Sequence, residues 1–239
     1  MIKVFTGPMF SGKSDELLKE YDKKFVTELL NANNITPEIT LRSNRLKTTR
    51  DELYKLLLLK KIDCKKGNLE DSIKVRKMSD FKGKLFTVQD EAAQLACLKL
   101  APEAGEVVLD ACSAPGGKTT YLAEIMENKG KIEAWDIHPH RVRLVEEAAK
   151  KLDIDIIHAT VHDATIVMPN YKEKFDKILL DVPCSGLGVI RKKPDIKWTR
   201  QPEDFEELMS VQEKILDTCS EYLKSGGRMV YSTCTVLKR

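Results

Sequence analysis

Two cysteines stand where their chemistry could matter. Cys184 follows Pro183 in ILLDVPCSGLG, and Cys234 follows Thr233 in MVYSTCT. Each comes just after an apolar run that reads as a buried strand, so neighbouring strands would bring both thiols to one crevice. A thiolate adding to carbon 6 of a pyrimidine makes carbon 5 enamine-like. Carbon 5 can then attack a sulfonium methyl group, and a base removes the remaining carbon-5 proton so that the thiol leaves. One thiol can attack and the other can help the release; the residues themselves leave open which does which. A lone buried cysteine is commonly no more than a small apolar residue. Two at neighbouring strand ends are not the usual case.

The acids point to what would lie beside them. Asp181 ends the strand immediately before Pro183 and Cys184. Asp136 ends KIEAWD, where an acid accepts hydrogen bonds from two ribose hydroxyls, and Asp163, in HDAT, can accept from an exocyclic adenine amine. Any one of them could be a helix cap or turn residue. Three acids at three strand ends beside a glycine loop point to an adenosine ligand. That loop lies in VVLDACSAPGGKTTY: a strand over 107–110, small residues over 111–117, and a helix starting at Lys118 or Thr119. Backbone N–H groups and the helix dipole there suit a nucleotide-like ligand. The loop holds no G-x-G-x-x-G, and a Walker A reading of Gly117, Lys118 and Thr119 would need glycine where Cys112 stands.

These residues need a scaffold, and the pattern supplies one. Helices over 119–127, 139–152 and 202–223 alternate with strands over 131–136, 155–160, 177–181 and 228–232. That alternation predicts an α/β fold, a doubly wound, Rossmann-like parallel sheet. Residues 85–100 read as a helix entering this domain, with Thr87 or Asp90 as cap. Upstream lie a short helix in FVTELLNANN, a strand over 38–42, a Thr49-capped helix over 50–60, a polar stretch around Cys64 and Gly67, and a strand over 73–77. Together they predict a small α+β module over 25–84. Its lysines suit either an RNA-facing surface or a packing adaptor.

Composition sets bounds. The chain of 239 residues is 42% apolar and 32% charged, ordinary for a soluble globular protein. Its net charge of +3 does not by itself argue for nucleic acid. Six cysteines without a C-x-x-C pair read as reduced thiols, with no disulfide or zinc framework and no metal expected. No apolar run reaches membrane-spanning length and no leader precedes Gly7, so a cytoplasmic monomer away from membranes is expected.

Two resemblances divide the chain. MIKVFTGPMFSGKSDELL holds a complete Walker A loop, Gly7 to Ser14, and resembles the amino terminus of thymidine kinases over residues 1–24. Nothing downstream resembles those kinases, so the loop is expected to be an orphaned fragment; nucleoside phosphorylation is the alternative activity. From about Phe25 onward the chain resembles the RNA cytosine-C5 methyltransferases of the NOP/SUN family, above all members acting on 16S ribosomal RNA. DACSAPGGKTTYLAE, AWDIHPHRV, DVPCSGLGVIRKKPDIKW and YSTCT carry the likeness.

The resemblance implies S-adenosylmethionine held by Cys112, Ser113, Ala114, Pro115, Gly116, Gly117 and Lys118, with Asp136 at the ribose, Asp163 at the adenine, and Asp181 near the methyl group and target base. It implies Cys234 as nucleophile and Cys184 as the thiol that assists release. It also implies an RNA-recognition-like module before a catalytic domain over 85–239, and RNA, 16S rRNA in particular, as partner. The basic loop from Arg191 to Trp198 (RKKPDIKW) would meet phosphates and stack on a base. The target cytosine must be unpaired or flipped out. Family members carry a helical RNA-binding domain before this module and continue past the Thr-Cys motif through a helix and two further strands. Here the chain stops at Arg239, so a truncated catalytic domain with an apolar edge strand is expected. A non-catalytic remnant that binds RNA or cofactor is the third reading.

Overall fold

The computed structural model describes residues 22–77, 83–199 and 203–235. The Walker A loop from Gly7 to Ser14 lies outside them.

Two bodies are formed. As far as described, the smaller comprises residues 22–37, 183–212 and 233–235. It contains helix α1 (Lys23–Asn34), whose first turn is capped by the Asp22 carboxylate accepting from Phe25 N at 3.0 Å.

The larger body, residues 38–182 and 213–232, holds two sheets. One is antiparallel, from β1 (Ile39–Ser43), β2 (Cys64–Lys66), β3 (Ser72–Val75) and β4 (Phe86–Val88), in the order β2-β3-β1-β4. Helix α2 (Arg50–Leu59) begins with a capping box: Thr49 Oγ1 accepts from Glu52 N, and the Glu52 carboxylate accepts from Thr49 N. Its Leu53 and Leu57 pack on Leu41, Ile73, Val75 and Phe86 to make a separate small core.

This sheet corrects two expectations. The helix expected over 85–100 is two elements. Phe86–Val88 is β4, paired with β1 at Leu41↔Val88 and Ser43↔Phe86, and helix α3 (Glu91–Leu100) starts after Asp90, its N-cap. Burial of Phe86 in the small core and a free flank on β1 outweigh helical propensity in a three-residue stretch. Likewise Cys64–Lys66, read as a polar stretch, becomes a strand because β3 offers its backbone a ladder.

The second sheet is parallel throughout: β5 (Val107–Asp110), β6 (Lys131–Asp136), β7 (Ile157–Val161), β8 (Phe175–Asp181) and β9 (Leu223–Ser232), in the order β7-β6-β5-β8-β9. This is the expected Rossmann-like fold. Helices α4 (Gly117–Ile125) and α5 (Pro139–Leu152) link the first three strands, and α6 (Glu203–Ser220) precedes β9. Val108, Tyr121, Leu122, Met126, Ile132 and Leu179 lie in the core. β5 is flanked by the strand that follows it and by β8, so the winding reverses there and leaves a crevice beyond their carboxyl ends.

β9 begins five positions before the expected 228, and α6 ends at Ser220 rather than 223. Gly226 and Gly227 look like a turn in sequence. The ladder absorbs them through a shift between Phe175 and Lys177, where a side chain at 227 would meet Asp176 O at 2.9 Å.

Candidate functional site

The loop after β5 is tied to the next strand before it turns. Ser113 donates to Trp135 O twice, through its N–H at 2.8 Å and its hydroxyl at 2.9 Å. Gly116 has φ +95°, and its N–H closes the turn on Ser113 O at 2.8 Å. A methyl group at 116 would lie 3.1 Å from the Val145 Cα of α5. Helix α4 therefore starts at Gly117, one or two residues before sequence places it.

Beyond the strand ends is a pocket of about 160 Å³. Cys112, Ser113, Ala114, Pro115, Gly117, Lys118 and Asp181 line it, together with Gln89, Ala93 and Asp110, which the motifs did not single out. Lys118 Nζ and Asp181 Oδ2 stand 2.5 Å apart across the ends of β5 and β8. Burial is the largest single influence and would lower the lysine's pKa; the charge and hydrogen bond of Asp181, with the nearby Asp110, together outweigh it and the net shift is upward, so Lys118 is a cation.

Asp110 is wholly buried. Its Oδ2 accepts from Thr119 Oγ1 at 2.7 Å, and its Oδ1 has no hydrogen-bond partner. Burial raises its pKa to about 7, against the pull of the Thr119 hydrogen bond. Its place as last residue of β5, at the switch point, is the signal that could have singled it out.

The other two acids lie at adjacent strand ends, outside this pocket's lining. Asp136, last in β6, accepts from His138 N through Oδ1 at 3.0 Å and faces Arg141 Nη1 through Oδ2 at 3.3 Å. Asp163, just past β7, accepts from Thr165 N at 2.9 Å and from its hydroxyl at 2.7 Å, and these bonds hold its carboxyl below the usual range. His162 N donates to Asp136 O at 3.1 Å, joining the two turns.

The thiols form a cluster within the smaller body. Cys184 Sγ and Cys234 Sγ are 2.9 Å apart, with no disulfide between them, and Cys234 N donates to Cys184 Sγ at 3.2 Å. Ser185 Oγ and Thr235 Oγ1 share a hydrogen bond of 2.8 Å, Gly188 N donates to Cys234 O at 2.8 Å, and Gln212 Nε2 donates to Pro183 O at 2.6 Å. Cys184 is buried and Cys234 exposed. The expectation of neighbouring strands holds: β8 and β9 are paired, with Asp181 opposite Ser232. Along the chain, Cys184 comes three residues after Asp181 and Cys234 two after Ser232. In the same body the Arg191 guanidinium donates to Ile35 O at 3.2 and 3.3 Å, and Trp198 is 49% exposed.

Three thiols of the larger body differ in kind. Burial pushes Cys97 and Cys112 far above the usual thiol range and Cys219 up to about 12, which keeps all three protonated and poor nucleophiles. Among the described residues no group of three metal-ligating side chains is placed to hold an ion, and no helix is long and apolar enough to cross a membrane.

Residues 97–239 match the family model described as 16S rRNA methyltransferase RsmB/F, and residues 14–82 match that of the RsmF/B-like ferredoxin-like domain. Probable ribosomal RNA small subunit methyltransferase B of Bacillus subtilis is 44% identical over 209 residues, 84% of this chain and 47% of that protein. The crystal structure of PH0851 aligns with a TM-score of 0.86 at 31% identity, covering 93% of this chain and 52% of that one. A methyltransferase homologue from Pyrococcus horikoshii aligns at 0.77 and 29% identity, covering 93% of this chain and 77% of that one. The chain thus spans about half the length of the curated relatives it matches.

Proposed function

Because the chain belongs to the RsmB/F family of 16S rRNA methyltransferases, we propose that it methylates carbon 5 of a cytosine in 16S ribosomal RNA, using S-adenosylmethionine. The observation that carries this reading is the pair of thiols 2.9 Å apart, supplied by segments 50 residues apart in sequence.

The crevice suits the cofactor. S-adenosylmethionine is a sulfonium cation with an ammonium group, and the pocket lining includes the Asp181 carboxylate. Residues 112–118 would hold it, with Asp136 at the ribose and Asp163 at the adenine. When bound, it supplies an electrophilic methyl group.

Cys234 attacks carbon 6 of the cytosine as thiolate, forming a carbon–sulfur bond and leaving carbon 5 nucleophilic. After methylation, a base takes the carbon-5 proton, the carbon–sulfur bond breaks, and the Cys234 thiolate departs. Cys184 assists that release, and Asp181 faces the base near the reacting methyl group. Cys234 is exposed, as an attacking group must be, whereas Cys184 is buried. Trp198 and the basic loop bind the RNA beside the flipped base. Lys65 and Lys66 of the small sheet are in surface ion pairs with Glu38 and Asp51. Such pairs are worth at most about 1 kcal/mol and can be exchanged for phosphates.

The test is methyl transfer from labelled S-adenosylmethionine to unmodified 16S RNA, followed by nucleoside digestion and mass spectrometry. 5-methylcytosine is expected, and its formation should end in Cys234→Ala. A methyl group recovered on any other atom refutes the reading.

A further inference from the structure

Behind the cofactor loop lies a charge that the reaction does not use. Arg42, on β1 of the antiparallel sheet, has no solvent exposure. Its Nη1 donates to Gly117 O at 2.8 Å and to Gln89 Oε1; its Nη2 donates to Glu124 Oε1 at 2.6 Å and Thr120 Oγ1 at 3.4 Å. The guanidinium lies 4.5 Å over the Tyr121 ring. Gly117 and Gln89 both line the pocket.

We infer that Arg42 is a positioning residue for the cofactor loop, so that the ferredoxin-like sheet itself shapes the cofactor site. The peptide unit is planar, with C=O and N–H pointing opposite ways. Holding Gly117 O from one side therefore fixes the direction of the Lys118 N–H from the other, at the turn where α4 starts. Gln89 is held through its side chain by Arg42 and through its backbone carbonyl by Gln94 Nε2 at 2.9 Å. A buried cation behind a pocket for a cationic ligand would oppose binding; Glu124, equally unexposed, neutralises it. A planar fork is needed to serve Gly117 and Glu124 together, which a lysine ammonium cannot do.

A second link ties the turn before β3 to the same helix, α4, without touching the pocket, and it provides the control. Asp71 Oδ2 accepts from Tyr121 Oη at 2.6 Å and from Arg45 Nε at 2.6 Å. If the sheet merely glues the domain together, cutting either link should have similar effects.

The inference rests on reading this crevice as the S-adenosylmethionine site. Its test is calorimetric titration of the 239-residue chain and its variants with S-adenosylmethionine, beside their thermal melts. Arg42→Lys should weaken binding about tenfold, the worth of one lost hydrogen bond to a charged group. Tyr121→Phe should lower the melting temperature and leave the affinity within about twofold. The paired variant R42M/E124M removes both charges at similar volume, so it should stay folded and still bind about tenfold more weakly. An unchanged affinity in either folded Arg42 variant overturns the inference alone, as does Tyr121→Phe weakening binding as much as Arg42→Lys. No affinity in the unaltered chain overturns the cofactor reading with it.

Discussion

The cofactor crevice and the thiol cluster are built by different means. In the crevice the polar groups are buried or half-buried and stand on strand ends and a helix start: Asp110 meets Thr119, Lys118 meets Asp181, and Ser113 is tied to Trp135. In the smaller body Cys184 and Cys234 meet through a sulfur contact and one backbone N–H, and their neighbours Ser185 and Thr235 through their hydroxyls. A site that binds a preformed ligand is served by rigid donors on a sheet. The thiol proposed to form and break a bond to RNA is served by exposure. Binding and chemistry should therefore come apart under mutation.

The largest expected effect lies in the thiol cluster. Cys234→Ala should cut turnover at least about a thousandfold, as loss of a nucleophile does, with calorimetric affinity for S-adenosylmethionine unchanged. Cys184→Ala should slow turnover about a hundredfold by stalling release, and a protein–RNA adduct should persist on denaturing gels. A Cys184→Ala enzyme that turns over at full rate with no adduct would erase the proposed division between the two sulfurs.

On the crevice side the expected effects fall on stability. The folded pKa of Asp110, about 7, lies above the ordinary 3.8, so the folded chain keeps a proton that the unfolded chain releases. Stability from this group is present at low pH and falls as pH rises from about 4 to about 7, by a few kcal/mol. Thermal melts across that range should show the decline, and Asp110→Asn should flatten it. Thr119→Val leaves the buried carboxyl with one donor fewer and should cost about 1 to 2 kcal/mol in denaturant titration, without any trapped adduct.

How much of this is legible in sequence follows from how local each signal is. Long apolar runs alternating with helices announce the parallel sheet, and the ends of 107–110, 131–136 and 177–181 fall on β5, β6 and β8 with little error. Short strands such as Phe86–Val88 and Cys64–Lys66 are visible only through partners distant in the chain. Sequence brings Lys118 and Asp181 into one site through their motifs, but their ion pair requires β5 beside β8, which only the strand order supplies. Arg42 in TLRSN looks like a solvated cation; it is buried because Glu124, more than eighty residues later, waits for it.

The contact of Gly116 with the backbone of Val145 has a mechanical consequence. The nearest atom a side chain at 116 would meet is backbone, and the next is the Ala148 Cβ, which has no rotamer to change, so little can absorb an error in the spacing of loop and helix. Enlarging residue 116 would shove α5 outward, and Asp136, joined to that helix through Arg141, would lose its register with the turn. One missing methyl group thus acts as the gauge block that sets the spacing between this loop and α5.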